Sequence, residues 1–263
     1  MNKPQKIFSA LDQFGLVEVS GHSTRRDLYL GNEIVQSSVD TERPERPVLE
    51  YVRGMSLILK YPGRIKRVLV LGIGGGSLIS ALHHFDPGIE IHGVERSPAV
   101  IRAAREVMFM PQAPNIHIHC CDALEFAVNT AGRTGFDIIF LDLFDADGPS
   151  IIYQDLGFIL NLVSLLGRDG RVVTNLWKNT SSITRAIINN LSAEFSNPGI
   201  RWALPSGLNL LNFNFNFQSG DISGSLREWQ DNVMNDPDSL FDGDTRMMEH
   251  LSGASLHFPP TGQ

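Results

Sequence analysis

The spacing of apolar positions changes twice along the chain. Between Leu16 and Val39 three short runs, LVEVS, RDLYL and EIVQSSV, mix apolar and polar residues and are parted by the turn-like pairs Gly21-His22 and Gly31-Asn32. That pattern predicts a small β-meander or hairpin set. TERPERP (41–47) is a polar, proline-punctuated connector, and VLEYVRGMSLILKY (48–61) then carries apolar residues at helical spacing. From residue 68 the pattern alternates regularly. VLVLGI (68–73) is a continuous apolar run, as a strand buried on both faces should be. SLISALHHF reads as a helix, IEIHGV (89–94) as a strand, and Ser97-Pro98 as the cap and first turn of another helix. IHIHC (116–120), FDIIFLD (136–142), a helix through ILNLVSLL, and RVVTNLW (171–177) continue the rhythm. TRAIINNLSAEF predicts a helix, RWALP and LNLLNFNFNF a closing pair of strands, and the region from Leu226 to Met234 a last helix before an uncapped tail. The alternation of asparagine and phenylalanine from Asn212 to Phe217 predicts a strand buried on one face only.

Strand and helix in this order imply parallel strands joined by right-handed crossovers, with ligands bound at the carboxyl ends of the strands. The expected fold class is therefore α/β, with a Rossmann-like parallel sheet. A small N-terminal β-domain over 1–47 precedes a ligand-binding catalytic domain over 48–263.

Composition narrows the function. With 22 basic against 29 acidic side chains the formal charge is −7, which argues against nucleic acid as a partner and suits a cationic substrate. The 2 cysteines, Cys120 and Cys121, are adjacent and do not suggest a structural disulfide. The N-terminal residues hold no apolar stretch of signal-peptide length, and no window approaches the ~20 apolar residues of a membrane span. The expectation is a cytoplasmic protein with no membrane partner.

Candidate chemistry gathers at the predicted strand ends. The turn GIGGGS, from Gly72 to Ser77, lies between the first long strand and its helix. There glycine lets backbone approach a ligand and the helix start offers free N–H groups. Gly72, Gly74 and Gly75 are accordingly candidates for nucleotide binding. Glu95, about 20 residues on at the next strand end, can grip a ribose diol or be an ordinary solvated carboxylate. Asp122 in CCDALEF can accept from an adenine amine, cap the following helix, or do both. In LDLFDADGPS, Asp142, Asp145 and Asp147 crowd the fourth strand end. Such carboxylates repel one another unless a cation joins them, so they either hold an amine or form an acidic turn. No histidine partners them in sequence, which ranks a metal lower. His83, His84, His92, His117 and His119 have no accompanying nucleophile signature and read as structural. Tyr51 and Trp177 are candidate pocket walls.

In these motifs the chain resembles the spermidine synthase, or polyamine aminopropyltransferase, family. The resemblance runs from about Leu28 to Trp177 through LGNEIVQSS, VLVLGIGGGS, VERSP, CDALEF and DLFDADGP. It implies a small N-terminal β-domain on a Rossmann-like domain of the S-adenosylmethionine-dependent methyltransferase fold, a homodimer or tetramer, and transfer of an aminopropyl group from decarboxylated S-adenosylmethionine to putrescine. It also implies roles for individual residues. Gln36 would contact the donor, Glu95 its ribose and Asp122 its adenine, while Asp142 would orient and deprotonate the amine and Asp145 would hold the substrate's amino groups. Three positions depart from the family pattern. Gly75 stands where the family has an aspartate that anchors the donor's amine. Leu49 or Glu50 falls where it has a tyrosine, leaving Tyr51 as a shifted candidate, and Ala146 replaces a proline.

The leading expectation is an aminopropyltransferase-like enzyme. It would act on a small-molecule amine or polyamine, with no tightly bound cofactor and with decarboxylated S-adenosylmethionine or S-adenosylmethionine itself as co-substrate. A methyltransferase and a non-catalytic adenosyl-binding homologue are the alternatives. A dehydrogenase is disfavoured, because GIGGGS does not space its glycines as G-x-G-x-x-G.

Overall fold

The computed structural model describes residues 4–132, 135–145, 148–177, 182–195, 199–216 and 222–235. The expected C-terminal tail, Ala146 and Asp147 lie outside the described residues.

The chain opens with four antiparallel strands in sequential order: β1 (Gln5–Asp12), β2 (Gly15–His22), β3 (Arg25–Leu30) and β4 (Val35–Asp40). The meander is as expected, but β1 adds a strand to it. Its inner side chain Phe8 joins Val17, Val19, Leu28 and Val39 in one cluster with Ala99, Val100 and Ala103. The N-terminal sheet therefore shares a core with the helix that carries those alanines.

The second sheet is mixed. After α1 (Glu50–Ser56), which runs on as a 3₁₀ turn, come β5 (Arg67–Leu71), α2 (Ser77–Phe85), β6 (Glu90–Glu95), α3 (Pro98–Glu106), β7 (Ile116–Cys120), α4 (Ala123–Thr130) and β8 (Phe136–Leu141). A two-residue ladder, β9 (Phe144–Asp145) with β10 (Gly148–Pro149), leads to α5 (Leu156–Ser164), β11 (Leu166–Trp177), α6 (Ser182–Ala193), β12 (Ile200–Ala203), β13 (Asn209–Phe215) and α7 (Ile222–Asn235). The strand order is β12-β13-β11-β8-β5-β6-β7. The β11, β8, β5, β6 and β7 neighbours pair in parallel, while β13 and β12 close one edge antiparallel.

The continuous apolar runs follow from burial on both faces. Val68 and Val70 of β5 enter one core beneath α1, α2 and α7, while Leu69 and Leu71 enter the other beneath α4, α5 and α6. The same two-sided burial corrects the reading of β13. Phe213 and Phe215 face the first core, but Asn212 and Asn214 are also fully buried, because α6 covers their side. Their amides answer each other, with Asn212 Nδ2 donating to Asn214 Oδ1 at 2.6 Å.

Candidate active site

A cavity of about 930 Å³ opens over the carboxyl ends of β5, β6 and β8, where the parallel topology places ligands. Its floor is the glycine turn. Gly72 has φ +85°, and a side chain there would put Cβ 2.2 Å from the Asp142 carbonyl oxygen. Backbone bonds from Gly72 N to Val94 O and from Asp142 N to Leu71 O, both 2.9 Å, lock the three strand ends together. Only glycine allows this close approach.

Gly72, Gly74, Glu95, Asp122, Asp142 and Gln36 all line the cavity. Gly75 is placed differently. A Cβ on it would meet Ser37 Oγ at 2.6 Å and Met108 Cε at 2.8 Å, so this glycine serves the fit of β4 against the turn. Ser77 fastens the same junction by donating to the Ser38 carbonyl at 3.1 Å. β9 carries Asp145 just beyond Asp142, and the Asp145 side chain lies outside the described residues, as does Asp147.

One half of the cavity is lined by carboxylates at two helix starts. Glu95 Oε1 accepts the Ser97 N–H at 3.0 Å. Burial pushes the Glu95 carboxyl above its usual range, and the backbone N–H of Ser97 opposes that rise. Asp122 is exposed and caps α4 by accepting the Leu124 N–H at 2.8 Å, so the capping reading holds while the residue still faces the cavity. A further residue was not anticipated. Asp12, at the end of β1, accepts Ser97 Oγ at 2.6 Å and the Phe14 N–H at 2.8 Å, and so pins the β1–β2 turn over this half. Phe14 there lies under the Arg96 guanidinium at 5.1 Å.

The other half centres on Asp142. Asn175 Nδ2 donates to Asp142 Oδ1 at 2.9 Å, and Asn209 Nδ2 in turn donates to Asn175 Oδ1 at 2.9 Å. Tyr51 is hydrogen-bonded to Asp142 as well, and its hydroxyl also reaches the Gln36 carbonyl at 3.3 Å. Tyr51 is therefore more than a wall: its hydroxyl faces the acid from α1. Burial pushes the Asp142 carboxyl up to about 6; the Asn175 and Tyr51 hydrogen bonds oppose that rise, and the charge of Glu95 adds to it. Burial, then the Asp142 charge, raises the Tyr51 phenol well above its usual range, so it stays a hydrogen-bond donor. A carboxylate titrating near neutrality, oriented by an amide and a phenol, can take one proton from an amine. Phe144 and Trp177, with ring centroids 6.0 Å apart, add apolar wall beside it.

Asn175 and Asn209 escaped the sequence reading. The available signal was the polar Thr174-Asn175 pair inside the otherwise apolar RVVTNLW, a placement that needs a partner when buried.

The sheet order, the glycine turn and the acids at successive strand ends define a Rossmann-like fold of the S-adenosyl-ligand-binding transferases. No protein-family model matches the chain. The polyamine aminopropyltransferase of Chromobacterium violaceum is 29% identical over 174 residues, 66% of this chain and 66% of that protein. Its counterpart in Neisseria meningitidis is 28% identical over 190 residues, 72% of each. The eEF1A lysine and N-terminal methyltransferase of Mus musculus is 27% identical over 156 residues, 56% of this chain but 22% of that protein. Among solved structures, a probable spermidine synthase from Corynebacterium glutamicum superposes with a TM-score of 0.70 at 16% identity, covering 89% of this chain and 88% of that one. A spermidine synthase bound to the transition-state analogue AdoDATO gives 0.67 at 18% identity, covering 88% and 78%. Human methyltransferase-like protein 13 bound to SAH gives 0.62 at 20% identity, covering 78% and 94%. The chain is thus similar in sequence to polyamine aminopropyltransferases and in fold to spermidine synthases.

Proposed function

We propose that this chain is an aminopropyltransferase of the spermidine synthase type, which moves an aminopropyl group from decarboxylated S-adenosylmethionine to a small amine or polyamine. The observation that carries this reading is the Tyr51–Asp142–Asn175 constellation, set on the same strand ends as the glycine turn and Glu95. In the reaction the amine nitrogen attacks the donor methylene next to the sulfonium. A C–N bond forms, the C–S bond breaks, its electrons return to sulfur, and methylthioadenosine leaves. The new ammonium gives one proton to Asp142, which passes it to water. Positioning and this proton transfer are most of the catalytic task. Glu95 holds the ribose hydroxyls, Asp122 the adenine amine, and Gln36 with Gly72 and Gly74 frames the donor. Gly75 shapes the turn, and Asp145 is proposed to hold the acceptor's amino groups.

Two features favour a second reading, methyl transfer from S-adenosylmethionine. Gly75 leaves out the carboxylate expected beside a decarboxylated donor's tail, and the chain also matches methyltransferases in sequence and fold. Release of methylthioadenosine against S-adenosylhomocysteine, measured with each donor in turn, separates the two.

The reading includes a homodimer in the cytoplasm. In its support, Leu11 is 77% and Ile34 is 54% exposed on the N-terminal sheet and its turn, an apolar surface that a second copy would cover. Among the described residues no helix is long and apolar enough to cross a membrane.

A further inference from the structure

We propose that Glu90, His92 and His117 form a binding site for a divalent transition ion of the zinc class, away from the donor cavity. β6 and β7 pair in parallel with His92 beside His117 and Val94 beside His119, so the imidazoles and Glu90 share one face at the sheet edge. One ligand atom from each of Glu90, His92 and His117 lies within 4.8 Å of the other two. On a tetrahedral zinc with bonds of about 2.0–2.1 Å, neighbouring ligand atoms sit roughly 3.3 Å apart, so modest side-chain rotations close the site. Imidazole and carboxylate together suit zinc, nickel or cobalt and do not suit magnesium.

The bonds around His92 already have the form a metal ligand needs. Its Nε2 meets Glu90 Oε1 at 2.7 Å, while its Nδ1 meets His119 Nε2 at 3.0 Å. An ion between Glu90 and His92 takes the Nε2 lone pair of the tautomer whose single proton sits on Nδ1, and that Nδ1–H donates to His119 Nε2. His119 thereby fixes the tautomer, which is the outer-shell role that ligating histidines require. Glu90 is steadied in the same way, since Arg67 Nε donates to its Oε2 at 3.1 Å. The Arg67 charge opposes a cation, and the charge of Glu90 offsets it. His117 is exposed and gives an entry path. The site lies toward the amino-terminal ends of the strands, whereas Glu95 lines the donor cavity from the carboxyl end of β6. Its effect would be to clamp edge strand β7 to the sheet.

The test is calorimetric titration of the full chain with zinc, with magnesium as control, and thermal denaturation with and without zinc. One zinc per chain with a raised melting temperature is expected. His117→Ala and Glu90→Gln should each weaken zinc binding at least about tenfold, and His119→Asn about tenfold through the lost outer-shell contact. Methylthioadenosine binding should be unchanged in all three. The proposal is overturned if zinc binds equally well to His117→Ala and Glu90→Gln, if zinc does not bind at all, or if Glu95→Gln abolishes zinc binding while His117→Ala does not. None of these results bears on the transferase reading, which methylthioadenosine binding and turnover report separately.

Discussion

Replacing Asp142 by asparagine keeps the size of the side chain and an oxygen for Asn175, but removes the charge and the basic site. The carboxyl rises from 3.8 to about 6 on folding. At about 1.4 kcal/mol for each pH unit, the gap corresponds to roughly 3 kcal/mol against the ionised form, and water in the open cavity trims this to about 1–2 kcal/mol. The folded value lies above the unfolded one, so the folded protein binds the proton more tightly. Asp142 thus costs stability nowhere below pH 3.8; the cost grows as pH rises toward about 6 and stays constant above it. Asp142→Asn should therefore be more stable than the parent at pH 7–8 in urea unfolding, with an advantage that shrinks as pH falls below about 6. Turnover should move the opposite way. Loss of a general base lowers kcat by about 10²–10⁴, and the fall of kcat/KM below pH 6 that the parent should show would disappear. Methylthioadenosine binding, measured by calorimetry, should stay within about twofold, because the lost group faces the acceptor. A variant that turns over normally, or one that loses donor binding as much as turnover, would refute this account of Asp142.

Tyr51→Phe removes a hydrogen bond that holds the Asp142 pKa down, so the acid limb of kcat/KM should move to higher pH; an unmoved profile would contradict the contact. Glu95→Gln should weaken methylthioadenosine binding by about 1–3 kcal/mol in calorimetry, and equal affinity with an intact fold would remove it as the ribose ligand. Gly72→Ala, with φ at +85° and its Cβ 2.2 Å from the Asp142 carbonyl, should lower the urea midpoint by about 2 kcal/mol or more of stability. Gly75→Asp meets Ser37 and Met108 before it reaches any donor. It should cost about 1–3 kcal/mol in thermal denaturation without tightening decarboxylated donor binding, and a stable, tighter-binding variant would overturn this placement.

Local signals carried most of the fold. Ser77–Phe85 and Ile116–Cys120 match the runs SLISALHHF and IHIHC residue for residue, because their apolar spacing is internal to the segment. β1 was missed because Gln5–Asp12 buries only Phe8, leaving too weak an alternation to read. β11 starts at Leu166, ahead of RVVTNLW, since Gly167 to Gly170 look like a turn and become strand only beside Phe136. The buried face of Asn212 and Asn214 depends on α6, which periodicity within β13 cannot report. In the site, Gly72, Gly74, Glu95, Asp122 and Asp142 were legible because each sits at a strand end that the alternation marks. Asn175 and Asn209 were not, because the bond between them exists only through the antiparallel pairing of β11 with β13. Asp12 was hidden for the same reason, its partner Ser97 being far along the chain.

Under the proposed function this cavity directs an amine onto the propyl carbon of a decarboxylated sulfonium donor. The most direct test incubates the full chain with decarboxylated S-adenosylmethionine and a panel of amines, and separately with S-adenosylmethionine and the same panel, with products resolved by mass spectrometry. Methylthioadenosine and an aminopropylated amine are expected in equal amounts from the first mixture, and both should be lost in Asp142→Asn. S-adenosylhomocysteine and a methylated amine from the second mixture, with nothing transferred in the first, would contradict it.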